Sequence, residues 1–252
     1  MSYKVIYSCI SHVGKIRSMN QDNFYCDGLM LDENNKNYST PIDREIVSAS
    51  PTVLGVFDGM GGEECGEVAS YLAARAVSQM KHTGDTVEDL AQYCKNANRL
   101  ICEYTVFNSL TSMGTTAAML LFKGNEITLC NIGDSKIFRI SGGAITQISE
   151  DHVAISAFGT KPPLTQSLGI PEDELIIEPY FSKGVLNKDD KYVICSDGLT
   201  DMVSTEEIKQ IVSANAPDRA SRILVNRAIE NGGRDNVTVI VAQVKKKGLF
   251  GR

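Results

Sequence analysis

The chain has 252 residues, 42% of them hydrophobic and 22% charged, close to the average of soluble globular proteins, so wholesale disorder, collagen and coiled-coil arrays are excluded. Lys and Arg number 25 against 31 Asp and Glu, a formal net charge of −6, which leaves no global basic field for gripping nucleic acid. Seven cysteines without a CxxC pair read as reduced core thiols of a cytoplasmic protein, not as a disulfide frame or a zinc site.

The first residues, MSYKVIYSCISHVG, lack the apolar core of a signal peptide. No apolar run approaches the ~20 residues of a membrane helix. Residues 3–11 and 23–31 read as strands rich in Tyr, Val, Ile and Phe. The polar stretch from Asp32 to Pro51 reads as a long surface loop. Thr52 to Phe57 is an apolar strand that stops at DGMGG. Apolar residues at helical spacing predict helices over about 64–81 and 87–107. Next, TTAAMLLF, EITLCNI, KIFRI and AITQI alternate with KGN, GDS and SGG, the pattern of an antiparallel meander.

A loop carrying Lys161-Pro162-Pro163 leads to the strand YVIC (192–195). Ser204-Thr205-Glu206-Glu207 is a capping box that opens a helix to about Ser213. Another helix is expected over about 218–231, before the strand VTVIVAQV (237–244). The order points to an α+β fold with mainly antiparallel sheets, in one domain over 1–245. The basic end KKKGLFGR, a tail from 246, reads as solvated, with docking on an acidic partner or membrane surface as the alternative.

Chemistry enters with five aspartates. Asp58, Asp134 and Asp197 each end an apolar strand, Asp235 precedes VTVIVAQV, and Asp22 precedes NFYC. Any one Asp-Gly or Asp-Ser pair is a favoured turn. Together, carboxylates at strand ends can converge at one edge of a sheet, and oxygen ligands without Cys or His select hard cations such as Mg²⁺ or Mn²⁺. Arg17, close to Asp22 in GKIRSMNQDN, suits a phosphate gripped in bidentate fashion. No Walker A, GxSxG or HExxH motif is present.

These residues resemble the metal-dependent protein phosphatases of the type 2C class, particularly the bacterial serine/threonine branch. The matching motifs are GKIRSMNQDN (14–23), VFDGMGG (56–62), GEVAS (66–70), GTTAA (114–118), NIGDSKIFRI (131–140), EDH (150–152), LTQSLG (164–169), CSDGLTDMV (195–203) and GGRDNVTVIV (232–241), in family order. The resemblance implies a four-layer αββα sandwich of two antiparallel sheets flanked by helices. It also implies two Mn²⁺ or Mg²⁺ ions and a weaker third.

By motif position Asp58 bridges both metals, the Gly59 carbonyl adds a ligand to one, and Asp197 and Asp235 complete the other's shell. Asp22 holds metal-bound waters, and Asp134 with Asp197 matches the third position. Arg17 matches the phosphate-binding arginine, and Asn236 follows the last aspartate as in the family. The implied reaction is hydrolysis of phosphoserine and phosphothreonine by direct attack of a metal-bridging water. The implied partners are phosphorylated proteins, in opposition to a Ser/Thr kinase, and the expected state is a monomer without membrane insertion.

The chain departs from the animal pattern in three places. Gln21 stands at an acidic ligand position, and Met60 replaces a His proposed as general acid. The segment Val153–Pro163 is shorter than the family's flap, for which the 32–51 loop is a candidate substitute. His12 and His152 remain candidates for leaving-group protonation. Two other readings stay open on the residues alone: a binding module that keeps the fold without activity, and a hydrolase of small phosphate esters.

Overall fold

The structure is a computed structural model that describes residues 3–32, 38–47, 51–60, 65–155 and 162–246. It begins with β1 (Tyr3–His12), β2 (Asp22–Cys26), β3 (Tyr38–Val47) and β4 (Thr52–Met60), followed by α1 (Gly66–Val77) and α2 (Thr86–Phe107). Then come β5 (Gly114–Thr115), β6 (Ala117–Lys123), β7 (Glu126–Ile132), β8 (Lys136–Ser141), β9 (Ala144–Gln147), β10 (Tyr180–Val185) and β11 (Lys191–Cys195). The chain closes with α3 (Asp197–Thr200), α4 (Thr205–Ala214), α5 (Pro217–Glu230) and β12 (Val237–Lys246).

One sheet has the order β3-β1-β12-β11-β8-β9 and the other β10-β7-β6-β4-β2, with β5 beside β4, and every pairing is antiparallel. Both faces of the central strands are buried, which is why they read as continuous apolar runs. On β6, Ala118, Leu120 and Phe122 meet Tyr7, Ile194 and Ile240 between the sheets, whereas Ala117, Met119 and Leu121 pack with Ala73, Leu90 and Ile101 of α1 and α2. On β12, Ile240, Ala242 and Val244 face the other sheet, while Val237, Val239 and Val241 pack with Leu224 and Ala228 of α5. Strand alternation therefore produces the expected α+β, four-layer αββα sandwich. Among the described residues no helix is long and apolar enough to cross a membrane.

Several expected elements are corrected. The polar stretch 32–51 supplies β3, an edge strand on β1 rather than a loop. Pro41 is tolerated because β3 lies at the edge and its register shifts between Cys9 and Ser11 of β1, leaving Pro41 outside the paired positions. Residues 33–37 and 48–50 lie outside the described residues. The strand expected over 23–31 stops at Cys26, where Asp27 (φ 50°) and Gly28 (φ 87°) make a tight turn closed by hydrogen bonds between Cys26 and Leu29.

The first strand after the polar stretch does not stop at Phe57 but carries Asp58, Gly59 and Met60 within β4. α1 ends at Val77 instead of running to residue 81, because its last turn tightens to bonds from Gln79 to Ala76 and from Met80 to Val77. Its expected start, Glu64, lies outside the described residues. The meander splits: β6 and β7 belong to one sheet and β8 and β9 to the other, so Gly133-Asp134-Ser135 is a crossing between sheets. β10 was not expected at all; it is an edge strand with little apolar signal. Lys246 still pairs with Tyr3 in β12, and residues 247–252 of the tail lie outside the described residues.

Candidate metal centre at one end of both sheets

All five aspartates come to the same end of the sandwich. Asp22 opens β2 and is the direct cross-strand partner of Asp58 on β4, so the two side chains leave one face with Cβ atoms about 5 Å apart. Asp197 begins α3 immediately after β11, and Asp235 lies two residues before β12, the neighbour of β11. Asp134 sits where the chain crosses between the sheets. The sheets are joined there by a buried bond: Ser196 Oγ donates to Asp22 Oδ2 at 2.7 Å. The same oxygen accepts from the Thr238 amide at 3.0 Å, which fixes the hydroxyl's orientation.

Polar residues that sequence reasoning did not assign hold the carboxylate-bearing segments. Thr116 Oγ1 accepts from the Asp58 amide at 3.0 Å and shares a 2.7 Å hydrogen bond with Ser135 Oγ, beside Asp134. Thr115 Oγ1 donates to the Asp58 carbonyl at 2.9 Å. Asn236 accepts from the Gln21 amide at 2.8 Å and donates to the carbonyls of Val13 and Met19, both at 2.9 Å, clamping the loop that carries Arg17 onto the start of β12. Threonine in GTTAA and asparagine after Asp235 are the only sequence signals of these roles.

Close backbone approach demands glycine at two points. A Cβ on Gly59 would stand 2.1 Å from the Gly66 carbonyl oxygen and 2.4 Å from that of Gln21. One on Gly198 would stand 1.9 Å from the Asn236 carbonyl oxygen. Gln21, at the acidic-ligand position, reaches Glu67 Oε2 at 3.5 Å. Met60 follows Gly59 on β4, opposite Gly114 of β5. Gly61 and Gly62 of VFDGMGG lie outside the described residues.

The electrostatics are those of crowded anions. Burial pushes the Asp22 carboxyl up to about 7; the hydroxyls of Ser196 and Thr238 pull the other way, and the charges of Asp197 and Asp235 add to the rise. Asp58 is pushed well above the usual carboxylate range by burial first and then by Asp22, Asp197, Asp134 and Asp235. Arg17 Nη2 donates to Asp235 Oδ2 at 2.8 Å, and that bond, with the charges of Asp235, Asp58 and Asp197, raises its pKa against the opposing effect of burial.

This donor set fits hard cations. Its groups are carboxylate and carbonyl oxygens, and the buried Asp22 Oδ1 has no hydrogen-bond partner. As the side chains stand, no three His, Cys, Asp or Glu among the described residues are grouped closely enough to hold a metal ion, although the aspartates lie within Coulombic range of one another.

The two candidate histidines each use Nδ1 as an acceptor, from Gly14 N at 2.9 Å for His12 and from Gly133 N at 3.2 Å for His152. His152 thus lies beside the Asp134 crossing. The ends of the short flap segment pair through Ala154 N to the Pro163 carbonyl and Thr165 N to the His152 carbonyl, both at 2.9 Å, and residues 156–161 between them lie outside the described residues.

The chain as a whole is similar to known protein phosphatases. The serine/threonine protein phosphatase PstP of Mycobacterium tuberculosis is 32% identical over 216 residues, which are 80% of this chain and 42% of that protein, so this chain spans less than half of that relative. Protein phosphatase PhpP of Streptococcus pneumoniae is 31% identical over 236 residues, covering 85% of this chain and 93% of PhpP. The crystal structure of the PstP catalytic domain with two manganese ions matches with a TM-score of 0.78 at 29% identity, over 97% of this chain and 100% of that one. A family model described as protein phosphatase 2C matches residues 45–227. With that model matching most of the chain and PhpP 31% identical over 85% of it, the chain belongs to the protein phosphatase 2C family.

Proposed function

We propose that this chain hydrolyses phosphoserine and phosphothreonine in proteins with the help of Mn²⁺ or Mg²⁺, two ions in the main site and a weaker third. The observation that carries the reading is the convergence of Asp22, Asp58, Asp197 and Asp235 around a buried Asp22 oxygen with no hydrogen-bond donor. Asp58 and the Gly59 carbonyl, with Asp197 and Asp235, are the residues that would hold the two ions. Asp22 would orient the waters of that shell, and Asp134 with Asp197 would hold the third ion. When bound, the two cations would supply an ionised water near neutral pH and offset the charge of the phosphoryl group.

The chain's own residues position the substrate. Arg17 is half exposed and hydrogen-bonded to Asp235 through a single nitrogen, so its guanidinium can turn to a phosphate without unpacking a core. Charge in a loose phosphoryl-transfer transition state spreads over three oxygens, and a planar fork that meets two of them lowers the barrier by orientation and charge together. Asn236 keeps the Arg17 loop in place through its three hydrogen bonds to Gln21, Val13 and Met19. With Nδ1 of His12 and of His152 accepting from the backbone, the neutral ring of each carries its proton on Nε2, the nitrogen from which a leaving serine or threonine oxygen could be protonated. The substrates on this reading are proteins phosphorylated by a Ser/Thr kinase, met in the cytoplasm by a monomer.

The test is release of phosphate from a phosphothreonine peptide by metal-stripped protein titrated with Mn²⁺ and Mg²⁺, beside Asp58→Asn and Asp235→Asn. Metal-dependent release that both substitutions abolish is the expected result. Silence from folded protein at millimolar metal would overturn the enzyme reading.

A further inference from the structure

A groove lies not over the aspartates but beside them. It has a volume of about 790 Å³, sufficient for two large side chains, and its lining includes Met60, Val106, Phe107, Met113, Ile170 and Glu174. Val106 and Phe107, in the last turn of α2, are 80% and 88% exposed, although both are large and apolar. The groove reaches the strand that carries Asp58: Met60, in its lining, is two residues beyond Asp58 on β4, about 7 Å along the strand. Its far wall, 167–171, is tied to the same place by the bonds between Thr115 and Leu168 at 2.9 and 3.0 Å.

One rim is acidic. Glu174 lines the groove beside Glu172 and Asp173, and their charges add to the burial that raises the Cys102 thiol. Among the described residues these three acids make no ion pair, whereas Glu103 on the opposite rim is held by Arg99 at 2.6 Å. An apolar floor with an unpaired acidic rim complements a segment that joins a large apolar side chain to Lys or Arg.

We propose that this groove receives the residues flanking the phosphorylated side chain and selects phosphoprotein segments that combine a large apolar residue with a basic one. The inference rests on the phosphatase reading above.

The experiment compares phosphothreonine peptides that carry Phe and Arg, or Ser and Glu, two to five residues from the phosphothreonine, with an aryl phosphate as reference, all at saturating Mn²⁺. The expected result is a kcat/KM about tenfold to a hundredfold higher for the apolar–basic set. Phe107→Asp removes that preference through KM, Glu174→Lys turns the basic preference into a penalty, and both leave aryl phosphate hydrolysis unchanged. Equal kcat/KM for the two sets, or a preference that survives both substitutions, would overturn the groove's role while leaving the phosphatase reading intact. Loss of self-association in Phe107→Asp with the peptide preference unchanged would assign the groove to contact with a second copy of the chain and sink the substrate reading. No hydrolysis of the aryl phosphate at any metal concentration would overturn the activity itself, and the groove proposal with it.

Discussion

Arg17 and Asp235 hold one another at 2.8 Å, and on the proposed reading Arg17 turns from that pair to an incoming phosphate. Arg17→Lys keeps the charge but loses the fork, since an ammonium is a point charge that meets one oxygen at a time. The expected outcome is a kcat/KM for a phosphothreonine peptide lower by about tenfold, and by about 10²–10³-fold in Arg17→Ala, the range seen when a transition-state donor is removed. Steady-state kinetics on the two variants check it; a lysine variant equal to the wild type would show that the guanidinium's geometry is irrelevant. The five aspartates were legible because each lies at a strand end or within two residues of one. That Asp22 faces Asp58 directly was not, because cross-strand register follows from the turn lengths and packing of the whole sheet. Ser196, Thr115 and Thr116 were equally hidden: a hydroxyl's partner lies far along the chain, 174 residues away for Ser196 and Asp22.

At the scale of elements, the meeting of α3 and β12 sets the spacing between Asp197 and Asp235. Gly198 lies where a methyl group would sit 1.9 Å from the Asn236 carbonyl oxygen, a clash with backbone that no rotamer relieves. Gly198→Ala is expected to cost about 1–3 kcal/mol of stability, as overpacking does, and to lose most activity because both aspartates shift. Ser204→Ala is the contrast. It removes the oxygen that accepts the Glu207 amide at 3.3 Å at the start of α4, at a cost of about 1 kcal/mol, without touching the centre. Thermal unfolding and specific activity measured on both variants separate the two effects; an active Gly198→Ala would show that the contact does not set the aspartate spacing. Helices were legible because α2, α4 and α5 each bury one stripe, and the central strands because both faces are covered. The edge strands β3 and β10 lacked that signal: β10 carries Gly184 and leaves Val185 57% exposed, and β3 sits in a polar stretch with Pro41 at a register shift. The split meander failed for a related reason, since strand alternation does not say which sheet a strand joins, and only the positive φ of Gly133 marks the crossing.

For the whole molecule, the centre is a place where two sheets are pressed together across anions, so folding and metal binding are linked. Without metal, the buried Asp22 carboxyl titrates at about 7 in the folded chain and near 3.9 when unfolded, and Asp58 is raised in the same sense. Over that interval the folded chain holds more protons than the unfolded one, so stability falls as pH rises from about 4 to 7 and changes little through Asp22 above it, while Asp58 acts in the same direction. The neighbours that face Asp22 and Asp58 are Asp134, Asp197 and Asp235, which strengthen the effect, and Arg17, which offsets part of it through Asp235. Cations reverse the balance because they bind the ionised carboxylates. Chelator-treated protein is therefore expected to melt several degrees lower at pH 8 than at pH 5.5. Mn²⁺ at a hundred times its dissociation constant adds about 2.7 kcal/mol, which at pH 8 is a rise of roughly 5–10 °C for a chain of this size. The rise is expected to be smaller at pH 5.5, and Asp22→Asn should flatten the pH dependence of the chelated protein. Calorimetry at the two pH values, with and without Mn²⁺, decides the matter: a chelated melting temperature that ignores pH, or a metal effect equal at both, would mean that the crowded aspartates are not what opposes folding at this end of the sandwich.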